Sequence, residues 1–427
     1  MEKMSDIFEI KGGKKLKGEI EVMGSKNATT PILAATLLTK KECVISNLPL
    51  IEDVFRMIEI LESMGVEVKW LGKSLPGQGK ISVKAENVDP KKMNVELVKK
   101  IRSSILLLGS LSARFENFKM YHPGGCVIGA RPVGTHFEAL AKLGVQIKKT
   151  GKEYLINAKN KKATEVVLHE FSVTATENAM MLAAGIKGKT TIKLAATEPH
   201  VQDLGKFLIS MGAKIKGLGT HTLEIIGSEN LGGAKHTIIP DANEAATFLI
   251  MGVATGSPIK VKNALIGNLD IVIEKLREFG ADFKISKNWI EVIPAKKLKA
   301  VSKVEAGIYP GIPTDIQAPF GVLTTQAEGE TLIKDHLFEG RFNYLSEIGK
   351  MGAKSKVIDV HQAVISGPTK LTGKEIETYD LRAGVSLIIA ALLAKGKTVI
   401  NDIYQVDRGY EKIEERLQKL GADIKRM

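Results

Sequence analysis

Six times along the chain a helix-like run closes on Gly-Ala or Gly-Val and opens into a short alternating strand. The six segments read LESMGVEVKW, LAKLGVQIKK, LISMGAKIKG, LREFGADFKI, IGKMGAKSKV and LQKLGADIKR. Their glycines, Gly65, Gly144, Gly212, Gly280, Gly352 and Gly421, stand 79, 68, 68, 72 and 69 residues apart. A period of this length describes a small α/β unit rather than a solenoid turn. Apolar residues before each glycine recur at helical spacing, as in Ile58, Leu61 and Met64. Glycine suits the position just past a helix end, where the backbone turns left-handed. The polar–apolar alternation that follows is the pattern of a half-buried strand.

Each unit also carries an earlier helix rich in small residues: PILAATLL, ENAMMLAAG, EAATFLIMGVATG and VSLIIAALLAKG are examples. These are apolar on nearly every side, which predicts burial, whereas their partner helices are amphipathic and should face solvent. Each runs on into a strand such as KTTIKL, SPIKVKN or KTVIND. One unit therefore reads strand, helix, strand, helix, strand, with short β-branched strands. Six such units could close as one ring or as two lobes of three, and the period does not choose.

The 427 residues allow two or three domains. The formal charge of +13 favours phosphate-bearing partners, but Lys and Arg are spread along the chain without a long basic run. A nucleic-acid-binding repeat protein would interleave aromatics with those cations. The two Trp and seven Tyr do not cluster. Cys43 and Cys126 form neither metal-ligand spacing nor a disulfide framework. The start MEKMSDIFEI has no long apolar stretch, and Ala383–Ala394 is too short to cross a bilayer. A cytoplasmic protein is expected.

The longest of the five intervals is the first, and its surplus is assigned to residues 114–132. There His122-Pro123-Gly124-Gly125-Cys126-Val127-Ile128-Gly129-Ala130-Arg131-Pro132 holds three glycines and two prolines, which predicts a mobile loop over about 120–133. It sets a thiol five residues from a guanidinium, and a nearby cation raises the thiolate fraction of a cysteine. Cys126 is thus a candidate nucleophile or general acid. Cys43, in Cys43-Val44-Ile45, is expected in a core.

The cysteine loop resembles the PGGCxIGxRP pattern of the UDP-N-acetylglucosamine 1-carboxyvinyltransferase family of enolpyruvyl transferases. Further matches follow in register. They are Gly24-Ser25-Lys26-Asn27-Ala28, Leu97 to Ser104, and Tyr309 to Gln317. Phe338-Glu339-Gly340-Arg341-Phe342, Asp380-Leu381-Arg382-Ala383 and Asp407-Arg408-Gly409-Tyr410-Glu411 complete the set. Each is weak alone; together they span some 400 residues.

The resemblance implies a two-lobed inside-out α/β barrel of six βαβαββ repeats. Residues 24–240 would form the first lobe, and 1–23 with 241–427 the second. It implies a cofactor-free, metal-free reaction in which the 3-hydroxyl of UDP-N-acetylglucosamine attacks phosphoenolpyruvate and phosphate leaves. Lys26, Arg131 and Arg408 would hold phosphoenolpyruvate. Asp315 would take the hydroxyl proton, and Cys126 would act as acid or bond covalently to phosphoenolpyruvate. Asn27, Arg102, Arg131, Pro132, Ser172, Val173, Asp315 and Phe338 would bind the sugar nucleotide, with Arg341, Asp380 and Arg382 supporting. The partners implied are these two small substrates, with no nucleic acid or membrane and a monomeric chain. Gly134, Glu170, Thr174, Gly340 and Ala242 depart from the family pattern, the first three at the uridine end. A 3-phosphoshikimate enzyme would instead carry Lys-Ser at Lys26-Asn27 and a Gly-Asn-x-Gly-Thr segment near residue 100, and neither is present.

Overall fold

The computed structural model describes residues 6–72, 79–125 and 132–427. All six repeat glycines adopt positive φ, from 87° at Gly144 to 111° at Gly212. Each closes its helix with the same two bonds. In the first unit Gly65 N donates to Glu62 O at 2.9 Å and Val66 N to Leu61 O at 3.2 Å. In the last, Gly421 N donates to Gln418 O and Ala422 N to Leu417 O. This pair of bonds satisfies carbonyls that the helix end would leave open, and it needs a left-handed residue that a Cβ disfavours. The recurring glycine is therefore a helix stop repeated six times.

The chain divides into two compact units, parting at Met23/Gly24 and at Ile239/Pro240: among the described residues the first unit runs from Gly24 to Ile239, and the second joins the stretch up to Met23 to Pro240–Met427. Each unit holds three small sheets among its described residues. The sheet that holds the strand after Gly212 shows the common plan. Glu165–Val167 runs parallel to Gly188–Lys193, which pairs antiparallel with Thr222–Gly227, itself paired with Lys214–Lys216. The repeat thus has one strand more than the sequence pattern showed, a hairpin partner for the strand after five of the six glycines; after Gly421 the partner is Phe8–Lys11. Three sheets are completed by distant chain, one of them by Gly18–Glu21, which runs parallel to Ile259–Lys262. Phe8–Lys11 inserts between Lys397–Asn401 and Asp423–Arg426, and Lys235–Thr237 runs parallel to Cys43–Leu48.

One sheet breaks the plan. It has three strands, Asn117–Tyr121, Glu153–Asn157 and Gln146–Thr150, and no first strand among the described residues. Short helical turns at Pro90–Lys92, Val95–Val98 and Arg102–Leu106 occupy that stretch instead. Six βαβαββ repeats are thus five and a variant. The surplus of the first interval is also shared out: the hairpin after Gly65 closes only at Lys84, whereas that after Gly144 closes at Asn157.

The small-residue helices are buried as expected. In Leu381–Leu393 every residue but Leu393 is buried, and Ala242–Thr255 is similarly enclosed. In the second unit these two helices pack on each other and on Gln317–Thr324. In contrast, Glu52–Ser63 buries only one face, through Val54, Met57, Ile58 and Leu61. Cys43 is fully enclosed, and burial pushes its thiol up. Among the described residues no helix is long and apolar enough to cross a membrane.

Candidate active site

In the first unit, candidate residues stand at two helix starts. Ser25 caps Lys26–Ala35, its Oγ accepting from Ala28 N at 3.3 Å, so that Lys26 and Asn27 fall on the first turn. Lys26 Nζ lies 2.8 Å from Asp53 Oδ2, both side chains largely buried. Ser172 likewise caps Val173–Ala184 through Ala175 N at 3.3 Å. The leading N–H groups of such a helix are an anion-binding feature. Behind them, Thr174 Oγ1 lies 3.2 Å from His136 Nε2, and Asn178 Nδ2 donates to His136 Nδ1 at 3.0 Å. Asn178 Oδ1 in turn accepts from Gly109 N at 2.7 Å. Two departures from the family pattern are thus engaged side by side, because Thr135 also donates to Glu170.

Burial, reinforced by the Arg102 charge, lowers His136 from 6.5 to about 3. A histidine depressed in the folded state binds fewer protons than the unfolded chain through the window from 6.5 to about 3. Its contribution to stability is therefore present above that window and lost as pH falls through it. A His136→Gln variant should show a flatter fall of urea midpoint across the window than wild type. Parallel curves would show that His136 does not drive acid destabilisation.

The stems of the cysteine loop rest on the segment before Arg102–Leu106. A Cβ on Gly124 would come within 1.5 Å of Lys99 O, and Gly125, at φ +106°, lies against the Arg102 backbone. On the far side, Arg102 Nη2 donates to Pro132 O at 3.3 Å. Cys126 and Arg131 lie outside the described residues.

The second unit contains a dense charged cluster. Asp315, in the turn Thr314–Ile316, receives Arg341 Nη2 on Oδ1 at 2.9 Å and Asn243 Nδ2 on Oδ2 at 3.2 Å. Arg382 Nε lies 3.3 Å from the same Oδ2, at ion-pair distance but without hydrogen-bond alignment. Asp380 caps Leu381–Leu393 through Arg382 N and Ala383 N, and its Oδ1 is 3.8 Å from Arg341 Nη1. Arg382 also reaches Asp241 at 3.7 Å and the Tyr410 hydroxyl at 3.3 Å. Burial opposes its charge, but Tyr410, Asp315 and Asp241 outweigh it and hold the guanidinium above its ordinary range. Arg341 stands 5.3 Å from the Phe338 ring centre.

Arg408 is buried, its Nη1 donating to Gln405 at 3.1 Å. The preceding Asp407 is gripped by both terminal nitrogens of Arg426, at 2.6 and 2.9 Å. Such a fork fixes orientation as well as charge.

Sequence reasoning missed Asp53, Asp241, Asn243 and Tyr410. Asp53 left a faint signal, an acid on the apolar face of an amphipathic helix. Asn243 left none, since it meets Asp315 only through folding. Ala242, a departure, begins the helix that Asp241 caps. Among the described residues no three His, Cys, Asp or Glu side chains are grouped to hold a metal ion.

A family model described as EPSP synthase (3-phosphoshikimate 1-carboxyvinyltransferase) matches residues 10–417. A UDP-N-acetylglucosamine 1-carboxyvinyltransferase of Koribacter versatilis is 40% identical over 422 residues, covering 99% of this chain and 96% of that protein. One of Helicobacter pylori is 41% identical over 425 residues, 99% of each. The chain belongs to the UDP-N-acetylglucosamine 1-carboxyvinyltransferase family. Membership makes it a transferase enzyme. Among solved structures, the enolpyruvyl transferase NikO from Streptomyces tendae superposes with a TM-score of 0.89 at 25% identity, covering 100% of this chain and 99% of that one. An EPSP synthase from Acinetobacter baumannii shares the fold, with a TM-score of 0.73 at 19% identity, covering 99% of this chain and 100% of that one. This enolpyruvyl transferase fold is mixed α/β, as the sheets and helices above require.

Proposed function

We propose that this chain transfers the enolpyruvyl group of phosphoenolpyruvate to the 3-hydroxyl of UDP-N-acetylglucosamine, the first committed step of peptidoglycan precursor synthesis. The observation that carries the reading is the likeness at 40–41% identity, over 99% of the chain, to proteins named for that reaction. On this reading the two units are the lobes of an inside-out α/β barrel, and the enzyme is a cytoplasmic monomer.

The sugar hydroxyl attacks C2 of phosphoenolpyruvate while C3 gains a proton. That tetrahedral adduct then loses a C3 proton and phosphate to leave the enol ether. Asp315 takes the hydroxyl proton; both of its oxygens are already oriented by Arg341 and Asn243, which supports a fixed base. Lys26, Arg131 and Arg408 hold the phosphate and carboxylate of phosphoenolpyruvate, and guanidinium forks suit both groups. Ser172 and Val173 present a helix start to the diphosphate, with Asn27, Arg102, Pro132 and Phe338 completing the acceptor site. Arg341, Asp380 and Arg382 support Asp315. Cys126 supplies the acid or a covalent anchor. The addition and elimination call for no cofactor.

The test is phosphate release from phosphoenolpyruvate with UDP-N-acetylglucosamine or shikimate 3-phosphate as acceptor. Release with the sugar nucleotide alone, with product of the matching mass, is expected. Release only with shikimate 3-phosphate, or with neither, would reject the acceptor. In the same assay Cys126→Ser should lose turnover far more than substrate affinity; unchanged turnover would remove the thiol from the mechanism.

A further inference from the structure

The last residue of strand Gly329–Asp335 is a carboxylate with no solvent exposure and, among the described residues, no cationic side chain in ion-pair contact. A buried charge of this kind is costly unless hydrogen bonds replace its water. Here the replacements come from two separate segments. Thr314 Oγ1 donates to Asp335 Oδ2, while Leu337 N and Phe338 N donate to Oδ1 at 2.9 and 3.3 Å. Thr314 adjoins Asp315, and Leu337-Phe338 leads into Arg341. The backbone of Asp335 is itself pinned, its N donating to His361 O at 2.9 Å, with His361 Nδ1 2.7 Å from Asp335 O.

One side chain therefore joins the turn carrying Asp315 to the segment carrying Arg341, at the far end of their 2.9 Å pair. We propose that Asp335 is a positioning residue for the transfer: it sets where the Asp315 carboxylate stands relative to Arg341. This rests on the assignment of Asp315 as base. Asp335 touches no substrate on this reading. Its loss would let the turn and the segment shift independently, and a displacement of about 1 Å in a reacting group can cost about 100-fold in rate.

The experiment uses the full chain carrying Asp335→Ala or, separately, Thr314→Val, which cuts only one arm. We expect kcat to fall about 100-fold in the first and about tenfold in the second, with KM for phosphoenolpyruvate unchanged within about twofold. The acid limb of the kcat profile should also move, by about one unit, because the charge facing Asp315 is no longer held in place. Asp335→Glu should recover less than Asp335→Asn, which keeps the length of the side chain. Should Asp335→Ala fail to fold, Thr314→Val decides alone. Unchanged kcat per folded molecule in Thr314→Val, with an unmoved acid limb, would overturn the proposal and leave Asp335 a plain structural acid. Wild-type enzyme inactive with UDP-N-acetylglucosamine would instead remove the assigned function, and this inference with it.

Discussion

Asp315→Asn should lower kcat by about 100- to 10,000-fold, the range that a positioned acid–base group contributes. The amide keeps the shape of the side chain and can still accept from Arg341 on its oxygen. It cannot take up a hydroxyl proton. KM for phosphoenolpyruvate should change little, because the cations proposed to hold that substrate are Lys26, Arg131 and Arg408. Steady-state kinetics with both substrates varied separate the two effects. A variant retaining more than about a tenth of wild-type kcat would exclude Asp315 as the base. A large rise in KM with kcat intact would reassign it to acceptor binding.

Arg382→Leu should destabilise the protein by about 3–5 kcal/mol, the usual cost of removing one partner from a buried ion pair. The side chain is only 2% exposed, and Asp241 beside it is 5% exposed. Without the guanidinium, Asp241 loses the cation 3.7 Å away and Asp315 keeps only Arg341 as a cation among the contacts described above. Tyr410 loses a donor as well, although Thr247 Oγ1, 3.1 Å from its hydroxyl, remains. Arg382→Lys should cost less in stability, since charge is kept, but it loses the planar fork and should still lower kcat. Urea unfolding of both variants tests the ordering. Equal midpoints for Arg382→Leu and wild type would show that the cluster is not energetically buried.

Legibility differed between the local and the distant. The helix stops were readable because a glycine past an apolar helical run has one common use, and all six adopted it. Burial of the small-residue helices was readable because apolar side chains on every face leave no face for water. The candidate residues were named through matched segments, not through any property of their own, since an isolated Arg341 or Arg382 reads as an ordinary surface cation. The hairpin partner strands were missed because their short apolar alternation has no marker like the glycine. The variant sheet was missed because the surplus of the 79-residue first interval was assigned to residues 114–132, whereas the short turns Val95–Val98 and Arg102–Leu106 stand where that repeat would have its first strand.

The sequence by itself determined where helices stop, which helices are interior, and to which family's motifs the chain conforms, all of which depend on neighbours a few residues away. Only the tertiary structure decided that Phe8–Lys11 would complete the sheet of Asp423–Arg426, that Asp53 would meet Lys26, and that Asn243 and Arg341 would divide the oxygens of Asp315. Those pairings join residues from 26 to more than 400 positions apart. They are set by strand register and helix packing, which act on whole faces of many residues and leave no mark on any one of them.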